Sequence, residues 1–494
     1  MTATRKPDVI VVGAGSAGAI LAARLTEDPS RRVLLVEAGP DFGTAQAGQP
    51  PEVLDADEDS ATGYDWNHVG TAARQHRDVP LYAGKIVGGS SATNNVVALR
   101  GDPSCYDAWR RPGWSFAELL PAFCRLERDI DFGHVDFHGR AGPIAIRRAA
   151  TAETAAVQRD FLTACATTGH RCVDDHNAPF GVGAGLLPLN QLDGVRQSTA
   201  ITYLNVARTR PNLEMRAQSL VDRVLIDSHR AVGVRTVDGT DLHADEVILS
   251  AGSYGSPAIL MRSGIGPADH LRACGIPVAV DAPGVGANLH DHPLLRIVLA
   301  TDEPMARPVR QVLLTVCSAA AARAPDVQIF PSGPDQTGTL FLLVALLAPR
   351  SRGRVRLTSS DPTAPLDIQA GYLTEPGDLD RMIEGVELAR RLTVTAPLKR
   401  RITGVGPASR PFLEARSRQL ADAIVGQVNP YYHPVGTCRM GSADDPMAVV
   451  DDTGHLHAVS GLSVVDASIF PTIPSANTNV PTMMAAEHLA TTFA

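Results

Sequence analysis

Two groups of residues in this chain have types and spacings suited to chemistry. The first is Gly13-Ala14-Gly15-Ser16-Ala17-Gly18. Gly13 permits a tight turn, Gly15 lets a pyrophosphate approach the backbone, and Gly18 lets the next helix pack close to a sheet. The N–H groups that open such a helix, at Ser16 and Ala17, face a phosphate with a partial positive charge. Glu37, with Ala38 beside it, is placed to accept hydrogen bonds from a ribose hydroxyl and to repel a 2′-phosphate. By itself the glycine motif does not tell one dinucleotide from another. The second group lies in Tyr431-Tyr432-His433-Pro434-Val-Gly-Thr437 and Ser475-Ala-Asn477-Thr-Asn479. Imidazole suits general-base work near neutral pH, whereas an asparagine amide donates a hydrogen bond but shuttles no proton. The chain has 15 histidines, so any one of them alone carries the bland reading of a surface or satisfied side chain.

The elements that must position these residues are legible around the first group. Asp8–Val12 is a β-branched run of strand length, Ile20–Leu25 has helical apolar spacing, and Arg32–Val36 is a second buried strand ending at Glu37. Strand, glycine turn, helix, strand and acid together make a dinucleotide fold the expected context. A second small-residue loop, Gly84-Lys-Ile-Val-Gly88-Gly89-Ser90, lets backbone amides touch a flat ring or a phosphate. Asp245–Pro267 reads as a strand entering a small-residue turn, with Ala251 and Gly252, and then a helix. The 494 residues amount to about three domains of chain. At 44% hydrophobic and 20% charged, the composition is that of an ordinary globular protein. No uncharged apolar run reaches about 18 residues, so no transmembrane helix is expected. The net charge of −8 and the lack of a basic block argue against nucleic acid. Seven scattered cysteines, none in CxxC spacing, predict neither a disulfide framework nor a zinc site, and no metal is expected. Met1–Pro7 has no apolar signal region, and a cytoplasmic location is expected.

In their order, the glycine motif, Gly84–Gly101, Asp245–Pro267, Tyr431–Gly441 and Val464–Met484 resemble the glucose–methanol–choline (GMC) family of FAD-dependent oxidoreductases. Gly284–His292 and Ser351–Asp361 support the resemblance, which covers nearly the whole chain. It implies an α/β fold: a Rossmann-like FAD domain in pieces at 1–150, 195–292 and 430–494, and a substrate domain at 151–194 and 293–429. The substrate domain is built on an antiparallel sheet backed by helices, and Asp378–Leu392 has the spacing of one of them. Residues 113–133 look like actinobacterial members, some similar to the mycofactocin-linked dehydrogenase. FAD contacts carry over by position. Val221 would meet adenine through its backbone. Asn94 and the amides of Val96, Val97 and Ala98 would line the isoalloxazine edge. Asp466 and Ala467 would reach the pyrophosphate and ribityl region, and Asn479 the pyrimidine end. Tyr432, Asn477 and Val480 complete the implied cofactor set. Asp466 has a second reading as a structural cap, and so do Asn477 and Asn479 for the helix near Pro481. Where some members tether FAD through a histidine, this chain has Thr93, so non-covalent FAD is expected.

The resemblance also implies the reaction. An alcohol gives up a hydride to the flavin as its hydroxyl proton leaves, which calls for a base. His433 matches the family's catalytic histidine, and Asn477 matches the position that steadies the alkoxide. The expected reaction is oxidation of an alcohol to an aldehyde or ketone, with O2 or a redox carrier as acceptor. Alternatives on the same fold are a lyase of the hydroxynitrile type and a flavin-binding protein without turnover; the glycine motif alone would also fit an NAD-dependent dehydrogenase. A trimethylammonium substrate calls for an aromatic cage. Only Tyr431, Tyr432 and Trp66 suggest themselves for it, so a primary alcohol without fixed charge is favoured. The sequence leaves the oligomeric state open.

Overall fold

Val9–Val12 and Val33–Val36 are buried at every position, as strands covered on both faces must be. In the computed structural model, which describes residues 6–44, 48–58, 63–72, 77–179, 181–321 and 324–493, they form the centre of a five-stranded sheet. Most of Met1–Pro7 lies outside the described residues. The strand order is Leu213–Arg216, Val33–Val36, Val9–Val12, Glu246–Leu249, Leu462–Val464, and every pairing is parallel. Helix Gly18–Leu25 follows the glycine turn and packs against the last helix, Asn479–Ala490. A buried carboxylate locks that contact: Glu487 accepts from Arg24 Nε at 3.0 Å and from the Tyr203 hydroxyl.

A second sheet is antiparallel and has seven strands. Its path runs Gly404–Val405, Pro293–Ala300, Thr339–Leu346, Val327–Ser332, Val312–Val316, Ala184–Leu186, and Asn429–Pro430 pairs with the start of Pro293–Ala300. Alternate side chains go to opposite faces, as the strand period requires. Leu295, Ile297, Leu342 and Val344 join a core with Val386 and Ala389 of the backing helix Pro376–Val394. Leu294, Leu343 and Phe330 belong to a separate cluster on the other face. The expected helix over Asp378–Leu392 is this backing helix, two residues longer at each end. A four-stranded sheet, Arg354–Arg356, Asp367–Gln369, His68–Ala72, Arg77–Leu81, joins segments far apart in sequence. No helix among the described residues is long and apolar enough to cross a membrane.

Candidate active site

Four strands of the parallel sheet end side by side: Val12 runs into Gly13, Val36 into Glu37, Leu249 into Ser250, and Val464 into Val465-Asp466. Ligands bind open α/β sheets at this edge. Here the edge borders a cavity of about 990 Å³, closed on its other side by the second face of the antiparallel sheet.

The glycine turn is shaped partly by the protein and partly for something else. Gly13 has φ +97°, and a Cβ there would sit 2.5 Å from the Ser250 carbonyl oxygen. A Cβ on Gly18 would strike the Gly13 oxygen at 1.9 Å, so the close helix packing expected from sequence is present. Gly15 differs. A Cβ there meets only Gly89 Cα, at an ordinary 3.6 Å, and Gly15 lines the cavity. The two glycine loops thus touch, and the protein's own packing does not explain Gly15. Glu37 is buried, and its two oxygens accept from Ala14 N and Gly39 N, both at 2.8 Å. Burial pushes its pKa up, against the backbone donors. Glu37 therefore holds the glycine turn as well as facing the cavity.

Most expected cofactor residues line the cavity: Gly13, Gly15, Ser16, Ala17, Glu37, Ala38, Gly89, Ser90, Asn94, Val97, Val221, Ala251, Gly252, Tyr432, Asp466, Ala467, Asn477 and Asn479. So does Thr93. Gly18, Gly88, Val96, Ala98 and Val480 do not. Two of these correct an expectation. The Val96 amide donates to its neighbour Asn94 Oδ1 at 3.0 Å, and the Ala98 amide to the Pro188 carbonyl at 2.9 Å, so neither is free to meet a ring. The capping readings also resolve. Asp466 does cap the short helix Ala467–Ile469 through the Ser468 amide, while its other oxygen accepts from Gly252 N and Ser256 Oγ. Asn479 is no cap: it is the first residue of its helix, and its Oδ1 accepts from Ser16 Oγ at 2.8 Å. Buried Asn477 Oδ1, Asn479 Nδ2 and Asn95 Oδ1 have no protein partner, and all three residues line the cavity. Small-residue loops, a buried carboxylate and orphaned polar atoms on one wall fit a dinucleotide with hydrogen-bonding groups along its length.

His433 stands in a turn that the antiparallel sheet anchors, because Asn429–Pro430 pairs with Pro293-Leu294. Tyr432 carries φ +64°, unusual for a bulky residue. Buried Asp291 holds this turn: Oδ1 accepts the His433 amide at 2.8 Å, and Oδ2 the Tyr372 hydroxyl. Burial pushes its carboxyl up to about 6, against those donors. The His433 ring is buried beside Tyr431, with ring centroids 4.2 Å apart. Its Nε2 lies 3.1 Å from Asn477 Nδ2, which brings the expected pair together. Its Nδ1 lies 2.9 Å from Nδ1 of His292, whose Nε2 is 3.2 Å from the Pro474 carbonyl. Burial holds His433 well below the usual histidine pKa, and the neighbouring His292 lowers it further. Sequence reasoning missed Asp291 and His292, although both sit in the Gly284–His292 segment that it singled out.

The wall facing this pair is apolar and ring-rich. Register places Arg296, Leu343 and Phe330 in one row across three strands, with Phe341 and Ser332 opposite each other in another. These residues and Leu294 line the cavity. Tyr431 stacks on Phe330 at 6.3 Å and donates to Gln328 Oε1 at 3.2 Å. Trp66, considered for a cation cage, already carries the Lys85 ammonium 4.8 Å from its ring centre. Among the described residues, one trio could hold a metal ion: Glu127, Asp129 and His138, all buried. It lies within an ion-pair network, where Arg100 meets Glu127, Arg148 meets Asp129 and Asp175, and His138 bridges Glu127 and Asp175.

A family model described as GMC oxidoreductase matches residues 7–294, and a second of the same description matches 349–486. The 5-(hydroxymethyl)furfural oxidase of Methylovorus sp. is 36% identical, over 98% of this chain and 98% of its own. An uncharacterized GMC-type oxidoreductase of Rhodococcus erythropolis is 34% identical, over 99% of this chain and 98% of its own. Among solved structures, pyridoxine 4-oxidase from Mesorbium loti superposes with a TM-score of 0.91 at 31% identity, covering 99% of each chain.

Proposed function

The chain belongs to the GMC oxidoreductase family of FAD-dependent enzymes acting on alcohols, and from that premise we propose that it oxidises a primary alcohol borne on a small flat ring, with His433 as the base. The observation that carries this reading is the His433 Nε2 to Asn477 Nδ2 approach of 3.1 Å on the cavity wall, facing Phe330, Phe341 and Leu343. When bound, FAD supplies the acceptor for the hydride that leaves the carbinol carbon. The glycine turn, Glu37, Ala251-Gly252, Asp466 and Asn479 are the residues that would hold it. His433 receives the hydroxyl proton, and the Asn477 amide steadies the oxygen left behind. The low pKa of His433 keeps it unprotonated, and so ready as a base, at neutral pH. The rings of Phe330 and Phe341 support an aromatic or heteroaromatic hydroxymethyl substrate, and the Arg296 cation on the same wall disfavours a quaternary ammonium alcohol. Two relatives act, by name, on hydroxymethyl-bearing rings. Thr93 supports non-covalent attachment of FAD. Segments 1–150, 195–292 and 430–494 serve the cofactor in this reading, and 151–194 and 293–429 the substrate.

The test is anaerobic reduction of the bound flavin by a panel of ring hydroxymethyl compounds, aliphatic primary alcohols and choline. Bleaching should be fastest with the ring compounds. If no alcohol bleaches the flavin, oxidation is wrong and the lyase and non-catalytic alternatives return. Reoxidation by air, compared with reoxidation by a dye, then distinguishes O2 from a carrier as acceptor.

A further inference from the structure

We infer that His292 is a positioning residue that fixes the tautomer of His433, delivering it to the cavity with its proton on Nδ1 and a bare lone pair on Nε2. This rests on the base role proposed above. The reasoning starts at the far end of the chain of contacts. The Pro474 carbonyl can only accept, so His292 Nε2, 3.2 Å away, carries a proton and donates it. His292 is fully buried, and burial pushes its pKa down to about 3, against hydrogen bonding to the Leu347 and Pro474 carbonyls; the ring is neutral with a single N–H, and the one at Nε2 is aimed at Pro474. Its Nδ1 is therefore a lone pair. Two lone pairs do not face each other at 2.9 Å, so His433 Nδ1 must be the donor. His433 Nε2 is left unprotonated at the cavity wall, where Asn477 Nδ2 donates to it at 3.1 Å. The familiar device for orienting a catalytic histidine is a carboxylate behind the ring. Here the carboxylate of Asp291 meets the His433 backbone amide instead, and a neutral imidazole stands behind the ring. The base is thus oriented without a negative charge that would raise its pKa.

The test uses the FAD-loaded protein labelled with 15N-histidine, the His433 signals being assigned by their loss in His433→Gln. At neutral pH the wild type should show protonated Nδ1 and bare Nε2 at His433. His292→Asn keeps an acceptor near the His292 Nδ1 position, and should keep that pattern and lose less than about tenfold in the rate of flavin reduction. His292→Leu removes the acceptor, and should lose the pattern and about 10²–10⁴-fold in rate with FAD content unchanged. A wild-type His433 protonated on Nε2 would overturn the inference. So would a His292→Leu protein with an unaltered His433 pattern, or one as fast as wild type. Should His292→Leu fail to fold, the wild-type and His292→Asn spectra still decide. If His433→Ala reduces its flavin as fast as wild type, the base role fails, while the tautomer read by the spectra stands or falls separately.

Discussion

Gly15 separates what the fold needs from what a ligand needs. In Gly15→Ala the new methyl meets only Gly89 Cα at 3.6 Å, and the backbone there is not in the left-handed region. The protein without cofactor should therefore tolerate it, gaining about 0.4–1 kcal/mol from the stiffer unfolded chain. Gly13→Ala is the control. It forces φ +97° on an alanine and drives Cβ to 2.5 Å from the Ser250 oxygen. Strain and overpacking of about 1–3 kcal/mol each would remove a large share of a stability of about 5–15 kcal/mol. For FAD the order reverses in kind. A methyl on the cavity side of Gly15 keeps a phosphate from the backbone and loses at least one charge-assisted hydrogen bond, about 1.5–3 kcal/mol. That is roughly a 10- to 150-fold weaker Kd. The assay pairs thermal melting of stripped protein with FAD titration followed by flavin fluorescence. Two results refute the reasoning: Gly15→Ala binding FAD within twofold of wild type, or Gly15→Ala melting as low as Gly13→Ala.

Three further outcomes are expected. The rate of flavin reduction should be flat above neutral pH and fall only on the acid side of about 6.5, because His433 must be unprotonated and burial lowers its pKa; stopped-flow reduction of His433→Ala should lack this limb, and Asn477→Ala should keep it with a loss of about 10²–10³-fold. Acid precipitation should release the flavin into the supernatant, since Thr93 offers no nitrogen for a tether; colour left in the pellet would contradict this. In the buried ion network, burial lowers the His138 pKa, but hydrogen bonds to Asp175 and Glu127 outweigh it and raise the pKa. The resulting stability is complete below about 6.5, the unfolded value, and is lost as pH rises through the folded pKa. Melting temperatures of wild type should show that loss, and those of His138→Gln should not.

Local pattern carried the sequence reading a long way. Strand, glycine turn, helix and acid needed only neighbours in the chain, and each formed where expected. The helix over Asp378–Leu392 was legible from apolar spacing alone. His433 and Asn477 came from the resemblance, and the fold brings them into contact. What stayed hidden depends on distant contacts. His292 touches His433 across 141 positions, and no spacing rule reports that. A signal was present in His290-Asp291-His292, three ionisable residues placed just before an apolar strand, a costly position without partners. The Ala98 amide could not be judged from sequence, because its acceptor, Pro188, is 90 residues on; the Val96 amide could have been, since Asn94 two residues earlier is a usual local acceptor. Asn479 looked like a cap because it precedes a proline by two residues, yet its partner, Ser16, lies at the other end of the chain.

The His433 turn is stitched to the antiparallel sheet by Asn429–Pro430, while Asn477 leads into the helix that Glu487 fastens to the parallel layer. The proposed pair therefore meets where the two sheets come together, the turn of one tied to the antiparallel sheet and the other leading into a helix of the parallel layer. The residues that would judge a substrate, Leu294, Phe330, Phe341 and Leu343, stand on strands of the antiparallel sheet. Phe330 also stacks on Tyr431, which packs against His433, whereas the side chains of Leu294, Phe341 and Leu343 hold neither His433 nor Asn477 through any ring contact or hydrogen bond described above. Such a layout marks Leu294, Phe341 and Leu343 as the positions to vary when a new alcohol is wanted, and Phe330 as one to leave alone.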